Sequence, residues 1–212
     1  MEFFRRHPAH SSRLGILPGT FNPVTVAHLA LAQAAAGCVD EVLFVLPRMF
    51  PHKQYTGATF DERLELLGLA LASFPHFSIA ASDSGLFVDT ANECRAAYGP
   101  EVRLTFLCGR DAAERIAGWD YGAPGAFGEM LRQFDLAVAA RRGEYQPPPQ
   151  LAASFRILEL SGEFAHVSAT EVRRRIASRE PWEHLVPAPA RRRAGQIYTP
   201  IIAAEPDSPP AP

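Results

Sequence analysis

The sequence predicts an α/β fold: a parallel sheet with helices on both faces, built as a single domain. Three observations predict it. Short apolar runs alternate with longer helical segments from residue 13 onward. Gly and Pro bound these runs, as at Pro18-Gly19, Pro47 and Gly109. The runs are apolar throughout rather than alternating, the pattern of strands buried on both faces. Together these features give a Rossmann-like, doubly wound arrangement. A chain of 212 residues suits one domain with a sizeable core.

Each element follows from local sequence. Residues 1–12 are polar with mixed charge and are expected to form a flexible N-terminus. Arg13–Leu17 reads as a buried strand ending in Pro-Gly. Val26–Ala36 is rich in Ala and Leu, a helix stopped by Gly37. Glu41–Leu46 is a second strand. Phe60–Phe74 carries leucines at 64, 67 and 71, a helical stripe. Phe77–Ala81 is a strand, and Thr90–Tyr98 a helix with Asp89 as its N-cap. Arg103–Cys108 is a strand, followed by a helix from Ala112 and another near Phe127–Phe134. Leu136–Ala140 and Phe155–Leu160 are the last strands, separated by a Pro-rich loop at 143–150. Thr170–Ser178 is a basic helix, and the Pro/Ala-rich stretch 200–212 is expected to be a disordered tail.

Composition narrows the function. The net charge is −2, from 21 basic and 23 acidic residues, and this argues against wholesale binding of nucleic acid or of an acidic membrane. No apolar run is long enough to span a bilayer. The N-terminal stretch lacks the apolar core of a secretory signal. Cys38, Cys94 and Cys108 are widely spaced with no CxxC pair, which points to a reducing, cytoplasmic setting. Lys53 is the one lysine among the 21 basic side chains.

In a doubly wound sheet, ligands bind at the carboxyl ends of the strands, where the strand order reverses. Neither GxxxxGK[ST] nor GxGxxG is present. After the first strand stands Pro18-Gly19-Thr20-Phe21-Asn22-Pro23-Val24-Thr25-Val26-Ala27-His28. Gly19 and Thr20 offer backbone N–H groups in a tight turn, suited to phosphate oxygens. Thr25 and His28 share one face of the first helical turn, beside the positive end of the helix dipole. The bland alternative is an N-cap Thr and a surface His.

The eleven-residue string resembles the signature of the (H/T)xGH nucleotidyltransferase superfamily. Gly19, Thr20, Phe21, Pro23, Thr25 and His28 match. Asn22 stands where Asp is usual, and Ala27 where Gly is usual; the extra methyl at 27 is expected to narrow the approach of phosphate to the helix. Four later segments resemble the nicotinate/nicotinamide-nucleotide adenylyltransferase branch: Pro51-His52-Lys53, Phe87-Val88-Asp89-Thr90, Phe106–Asp111 followed by Trp119, and Val167–Arg173. Thr25 itself looks more like phosphopantetheine adenylyltransferase. The usual C-terminal Tyr-Ile is absent, and Arg191–Arg193 reads as a solvated helix face.

The resemblance implies a nucleotidyltransferase domain over 13–199. It implies adenylyl transfer from ATP to nicotinate mononucleotide, giving deamido-NAD and pyrophosphate. His28, Thr25 and Lys53 would be catalytic. Gly19, Thr20, Phe21, Gly109, Asp111, Ser168, Thr170 and Arg173 would hold ATP. Lys53, Thr90 and Trp119 would hold the acceptor, Trp119 by stacking on the pyridine ring. Mg²⁺ would enter with ATP, largely through water, with no dedicated protein ligands. A homo-oligomer is open. The alternatives are another phosphorylated acceptor, such as phosphopantetheine or nicotinamide mononucleotide, with ATP or CTP, or a nucleotide-binding sensor without turnover.

Overall fold

The computed structural model describes residues 1–49, 55–117, 126–139, 146–147 and 149–204. The apolar runs form strands that pair in one seven-stranded sheet. In chain order these are β1 (Glu2–Arg5), β2 (Arg13–Pro18), β3 (Glu41–Pro47), β4 (Phe77–Ser82), β5 (Arg103–Gly109), β6 (Asp135–Ala139) and β7 (Phe155–Leu158). The spatial order is β1-β4-β3-β2-β5-β6-β7. Every pairing is parallel except β1 with β4. The order therefore reverses between β2 and β5, whose register aligns Ile16 with Phe106. That is the crevice where a doubly wound sheet binds its ligand.

Helices α1 (Val26–Ala35), α2 (Phe60–Leu71), α3 (Phe87–Tyr98), α4 (Arg110–Ala117), α5 (Ala126–Met130), α6 (Ala169–Ala177) and α7 (Arg191–Ala204) cover the sheet. Two cores result, one on each face. On one, Leu17, Phe44, Ile79 and Leu107 pack with α1, α2, α6 and α7. On the other, Leu14, Ile16, Leu43 and Phe106 pack with α3, α4 and α5. Each leucine buried this way contributes roughly 1.5–3 kcal/mol. Leu67 and Leu71 of the α2 stripe are fully buried, as the spacing predicts, and Leu64 is partly buried against the same core.

Several boundaries differ from the sequence reading. Residues 2–5 form a strand rather than a flexible segment, because β4 would otherwise leave one side of its backbone unpaired. Arg5 fixes β1 by donating to the carbonyls of Leu71 (2.5 Å) and Phe74 (2.7 Å) at the end of α2. Helix α3 starts at Phe87, with Leu86 as N-cap. Burial decides this: the Phe87 ring stacks on Phe106 with centroids 4.4 Å apart. Asp89 instead accepts from the Ser84 hydroxyl at 2.6 Å. Helix α5 ends at Met130, and Phe134 turns in against Phe106 at 4.5 Å. The expected tail is partly helix, since α7 runs through Pro200 to Ala204 with Ile197 and Tyr198 buried on its inner side. Residues 205–212 lie outside the described residues. Arg193 pairs with Glu65 at 2.8 Å and Arg191 donates to the Val186 carbonyl at 3.0 Å, so both help to hold α7 in place.

All three cysteines are unpaired. Burial pushes the Cys94 and Cys108 thiols up to about 12. No helix among the described residues is long and apolar enough to cross a membrane.

Candidate active site

The loop 18–25 leaves β2 at the crevice and ends at the N-terminus of α1. Thr25 is the N-cap, in extended conformation and fully buried. His28 stands at the third helical position. The Thr25 N–H donates to His28 Nδ1 at 3.0 Å, and the Thr25 hydroxyl lies 2.9 Å from the same nitrogen. The imidazole thus fills the place that Glu takes in an ordinary capping box. With Nδ1 accepting, the proton of the neutral ring sits on Nε2, away from the cap. The Phe21 ring meets the imidazole edge-on, centroids 5.2 Å apart.

Glycine is required at 19 for space. A Cβ there would come within 2.8 Å of the Phe21 ring. Its amide differs from expectation: Gly19 N–H donates to the Val45 carbonyl at 3.0 Å, extending the β2–β3 pairing, and is not turned to a ligand. Phe21 has φ of +47°, a left-handed conformation that costs a non-glycine residue about 1–2 kcal/mol. Near-complete burial of its ring offsets that cost. Ala27 corrects a second expectation. It is fully buried in the core under α1, so its methyl does not narrow the phosphate approach.

Two guanidinium groups grip the loop through its carbonyls. Arg63 of α2 donates to the Thr20 carbonyl at 2.9 Å. Arg173 of α6 donates to the Asn22 carbonyl, and lies 3.4 Å from the Thr170 hydroxyl. Arg63 is only 2% exposed, stacked over Tyr55 at 4.8 Å and Phe60 at 5.7 Å. Burial pulls its pKa below the ordinary guanidinium value. The sequence reading missed it, although a signal existed: Arg63 lies in line with Leu67 and Leu71 at helical spacing, a charge on an apolar stripe.

Asn22 is the hub of the loop. It is 5% exposed. Its Oδ1 accepts from the Tyr198 hydroxyl at 2.7 Å and faces the Ala58 N–H at 3.4 Å; its Nδ2 donates to the Thr56 carbonyl at 3.1 Å. The amide packs so closely on Gly57, φ +124°, that a Cβ there would lie 2.5 Å from it. Tyr198 is fully buried. Burial raises its phenol pKa well above the ordinary value.

The remaining predicted residues fall as follows. Gly109 ends β5 beside β2, and the backbone of Asp111 lies in the first turn of α4. Ser168 is the N-cap of α6, accepting from Glu171 N–H at 3.0 Å, and is exposed, as is Thr170. Arg174 and Arg175 pair with Glu171, leaving Arg173 as the one of the three arginines turned to the loop. Thr90 is buried, its hydroxyl donating to the Leu86 carbonyl at 3.0 Å. Lys53, His52, Trp119 and the Asp111 side chain lie outside the described residues. No group of three or more His, Cys, Asp or Glu among the described residues could hold a metal ion.

This loop, helix and switch-point arrangement can hold phosphate. A family model described as cytidylyltransferase-like matches residues 16–175, from inside β2 to the end of the α6 arginines. The chain belongs to this cytidylyltransferase-like family. Its curated relatives narrow the branch. This cytidylyltransferase-like chain is 32% identical over 190 residues to a "probable nicotinate-nucleotide adenylyltransferase" of Moorella thermoacetica, covering 82% of this chain and 85% of that one. It is 31% identical to a protein of the same name from Thermus thermophilus, covering 88% of this chain and 95% of that one. Among solved structures, it resembles Plasmodium falciparum nicotinic acid mononucleotide adenylyltransferase complexed with NaAD. There the TM-score is 0.63 at 15% identity, over 80% of this chain and 86% of that one. That likeness carries the fold; the two bacterial relatives carry the family.

Proposed function

We propose that the protein transfers the adenylyl group of ATP to nicotinate mononucleotide, giving deamido-NAD and pyrophosphate. The observation that carries this reading is the Thr25–His28 pair, locked together at the helix N-terminus in the switch-point crevice. The names of the bacterial relatives support the choice of acceptor.

A phosphate oxygen of the mononucleotide attacks the α-phosphorus of ATP. The new P–O bond forms as the bond to pyrophosphate breaks, in line. No covalent enzyme intermediate is needed, because a phosphate monoester is already a competent, largely ionised nucleophile near neutrality. Catalysis is then orientation and charge stabilisation. His28 donates from Nε2 to the transferring phosphoryl group, helped by the dipole of α1. Arg173, with Ser168 and Thr170 at the start of α6, receives the outer phosphates. Gly109 and Asp111 take the ribose and Trp119 the pyridine end; the buried Thr90, its hydroxyl committed to the Leu86 carbonyl, supports α3 instead. Lys53 neutralises the acceptor phosphate as a point charge. Mg²⁺ brought in with ATP would neutralise charge on the triphosphate, held largely through water. A reducing cytoplasm suits the three unpaired thiols.

The test is pyrophosphate release by the purified protein with ATP and Mg²⁺. Candidate acceptors are nicotinate mononucleotide, nicotinamide mononucleotide and phosphopantetheine. Fastest release with nicotinate mononucleotide is expected. Release with phosphopantetheine alone overturns the reading, and ATP binding without release from any acceptor makes the protein a sensor.

A further inference from the structure

We infer that Tyr198 and Asn22 form a positioning pair through which the C-terminal helix sets the phosphate loop for nucleotide binding. The inference rests on the proposed nucleotide site but not on the identity of the acceptor.

Tyr198 is fully buried and cannot touch a nucleotide. Its hydroxyl donates to Asn22 Oδ1 at 2.7 Å across 176 residues of chain. Asn22 lies inside the loop, between the left-handed Phe21 and the helix start at Thr25. The two ends of its amide meet opposite chemistry. Oδ1 faces donors, the Tyr198 O–H and Ala58 N–H, while Nδ2 faces an acceptor, the Thr56 carbonyl. Only a group with one acceptor end and one donor end satisfies both. A carboxylate would set oxygen against oxygen at Thr56. This accounts for Asn at a position where the superfamily signature has Asp. The Asn22 main-chain carbonyl is held at the same time by Arg173. One residue therefore ties α6, α7 and the 55–58 segment to the loop that carries Phe21, Thr25 and His28.

Tyr198 and Arg173 touch Asn22 directly; Tyr55, Arg63 and Glu62 act on the Tyr198 hydroxyl that meets it, and His28 of α1 stands against the neighbouring Phe21 ring. A carboxyl placed at 22 would titrate among them. Protonated, it regains a donor end for the Thr56 carbonyl; ionised, it does not. Recovery on acidification is thus a signature of the amide's two-ended role.

The experiment measures the affinity of a non-reactive ATP analogue by calorimetry, on protein shown to be folded well below its Tm. Variants are Asn22→Asp, Asn22→Leu and Tyr198→Phe. Asn22→Asp is expected to weaken binding about ten-fold near pH 8 and to recover toward the parent, measured at the same pH, as the pH falls to about 4. Asn22→Leu is expected to lose a similar factor at both pH values. Tyr198→Phe, which adds no charge, is expected to lose about five-fold throughout. Parental affinity in Tyr198→Phe, or an Asn22→Asp loss that does not change with pH, overturns the inference. Parent protein that binds the analogue but makes no dinucleotide from nicotinate mononucleotide overturns the proposed function alone. Parent protein that binds no nucleotide overturns both.

Discussion

The imidazole of His28 caps α1 through Nδ1 and presents Nε2 on its other side, so substitutions there separate structure from chemistry. His28→Asn keeps a short side-chain acceptor for the Thr25 N–H, whereas His28→Ala leaves that N–H without its partner. His28→Ala is expected to lose about 1 kcal/mol of stability relative to His28→Asn, read by denaturant unfolding. Both are expected to lower kcat about 10²–10³-fold, read by pyrophosphate release, because both remove the Nε2 donor. Near-parental turnover in either variant takes His28 out of the mechanism. At this scale the sequence was legible where a motif names the residue. A motif names Thr25, His28 and Arg173, and the structure brings the first two together at the start of α1 and turns the third to the loop. Arg63, Asn22 as hub, and Tyr198 were not legible, because their roles come from partners 43, 34 and 176 residues away. Local spacing carries no record of such contacts, and only Arg63 left a trace, as a charge on an apolar stripe.

Among the elements, α2 shows how a helix start sets the reach of a distant residue. Thr59 Oγ1 accepts from Glu62 N–H at 3.3 Å, and Glu62 Oε2 accepts from Thr59 N–H at 2.8 Å. That reciprocal cap at Thr59 starts α2 at Phe60, and Arg63 leaves the first turn toward the Thr20 carbonyl. Thr59→Ala is expected to lower the unfolding free energy by about 1 kcal/mol, with the denaturant m-value unchanged. A loss well below that leaves the cap without the weight given to it. The central strands and α1, α2 and α6 were legible from local sequence: bounded apolar runs, an Ala/Leu-rich stretch stopped by Gly37, a leucine stripe and a basic segment. The start of α3 and the end of α5 were not: the ring contacts of Phe87 and Phe134 with Phe106 decide them, and those are tertiary.

Across the whole molecule, buried acids that stay protonated dominate the response to alkali. Burial raises the thiols of Cys94 and Cys108 to about 12, and raises the phenols of Tyr98 and Tyr198 as well. The unfolded chain releases the thiol protons near pH 9 and the folded one does not. Above that point the unfolded state binds fewer protons, so stability is present below about pH 9 and lost as pH rises toward 12. Tm is expected to fall steadily from about pH 9 upward, and a Tm that holds level to about pH 11 contradicts the burial of these groups. The doubly wound class was legible from the alternation of elements; the strand order, and with it the place of the crevice between β2 and β5, is set by tertiary pairing. The antiparallel β1 was not legible, since its short polar sequence becomes a strand only because β4 is there to pair with it. That added strand has a consequence for behaviour at high concentration. Every residue of β4 is buried, and its outer backbone groups are taken by β1 rather than by another molecule. Beyond it stand Arg5 and Arg6, the first anchored on the end of α2 and the second over Phe3 and Tyr98. The open edge is thus a strand of only four residues, irregular in register and flanked by arginines, features that disfavour the addition of a further strand there.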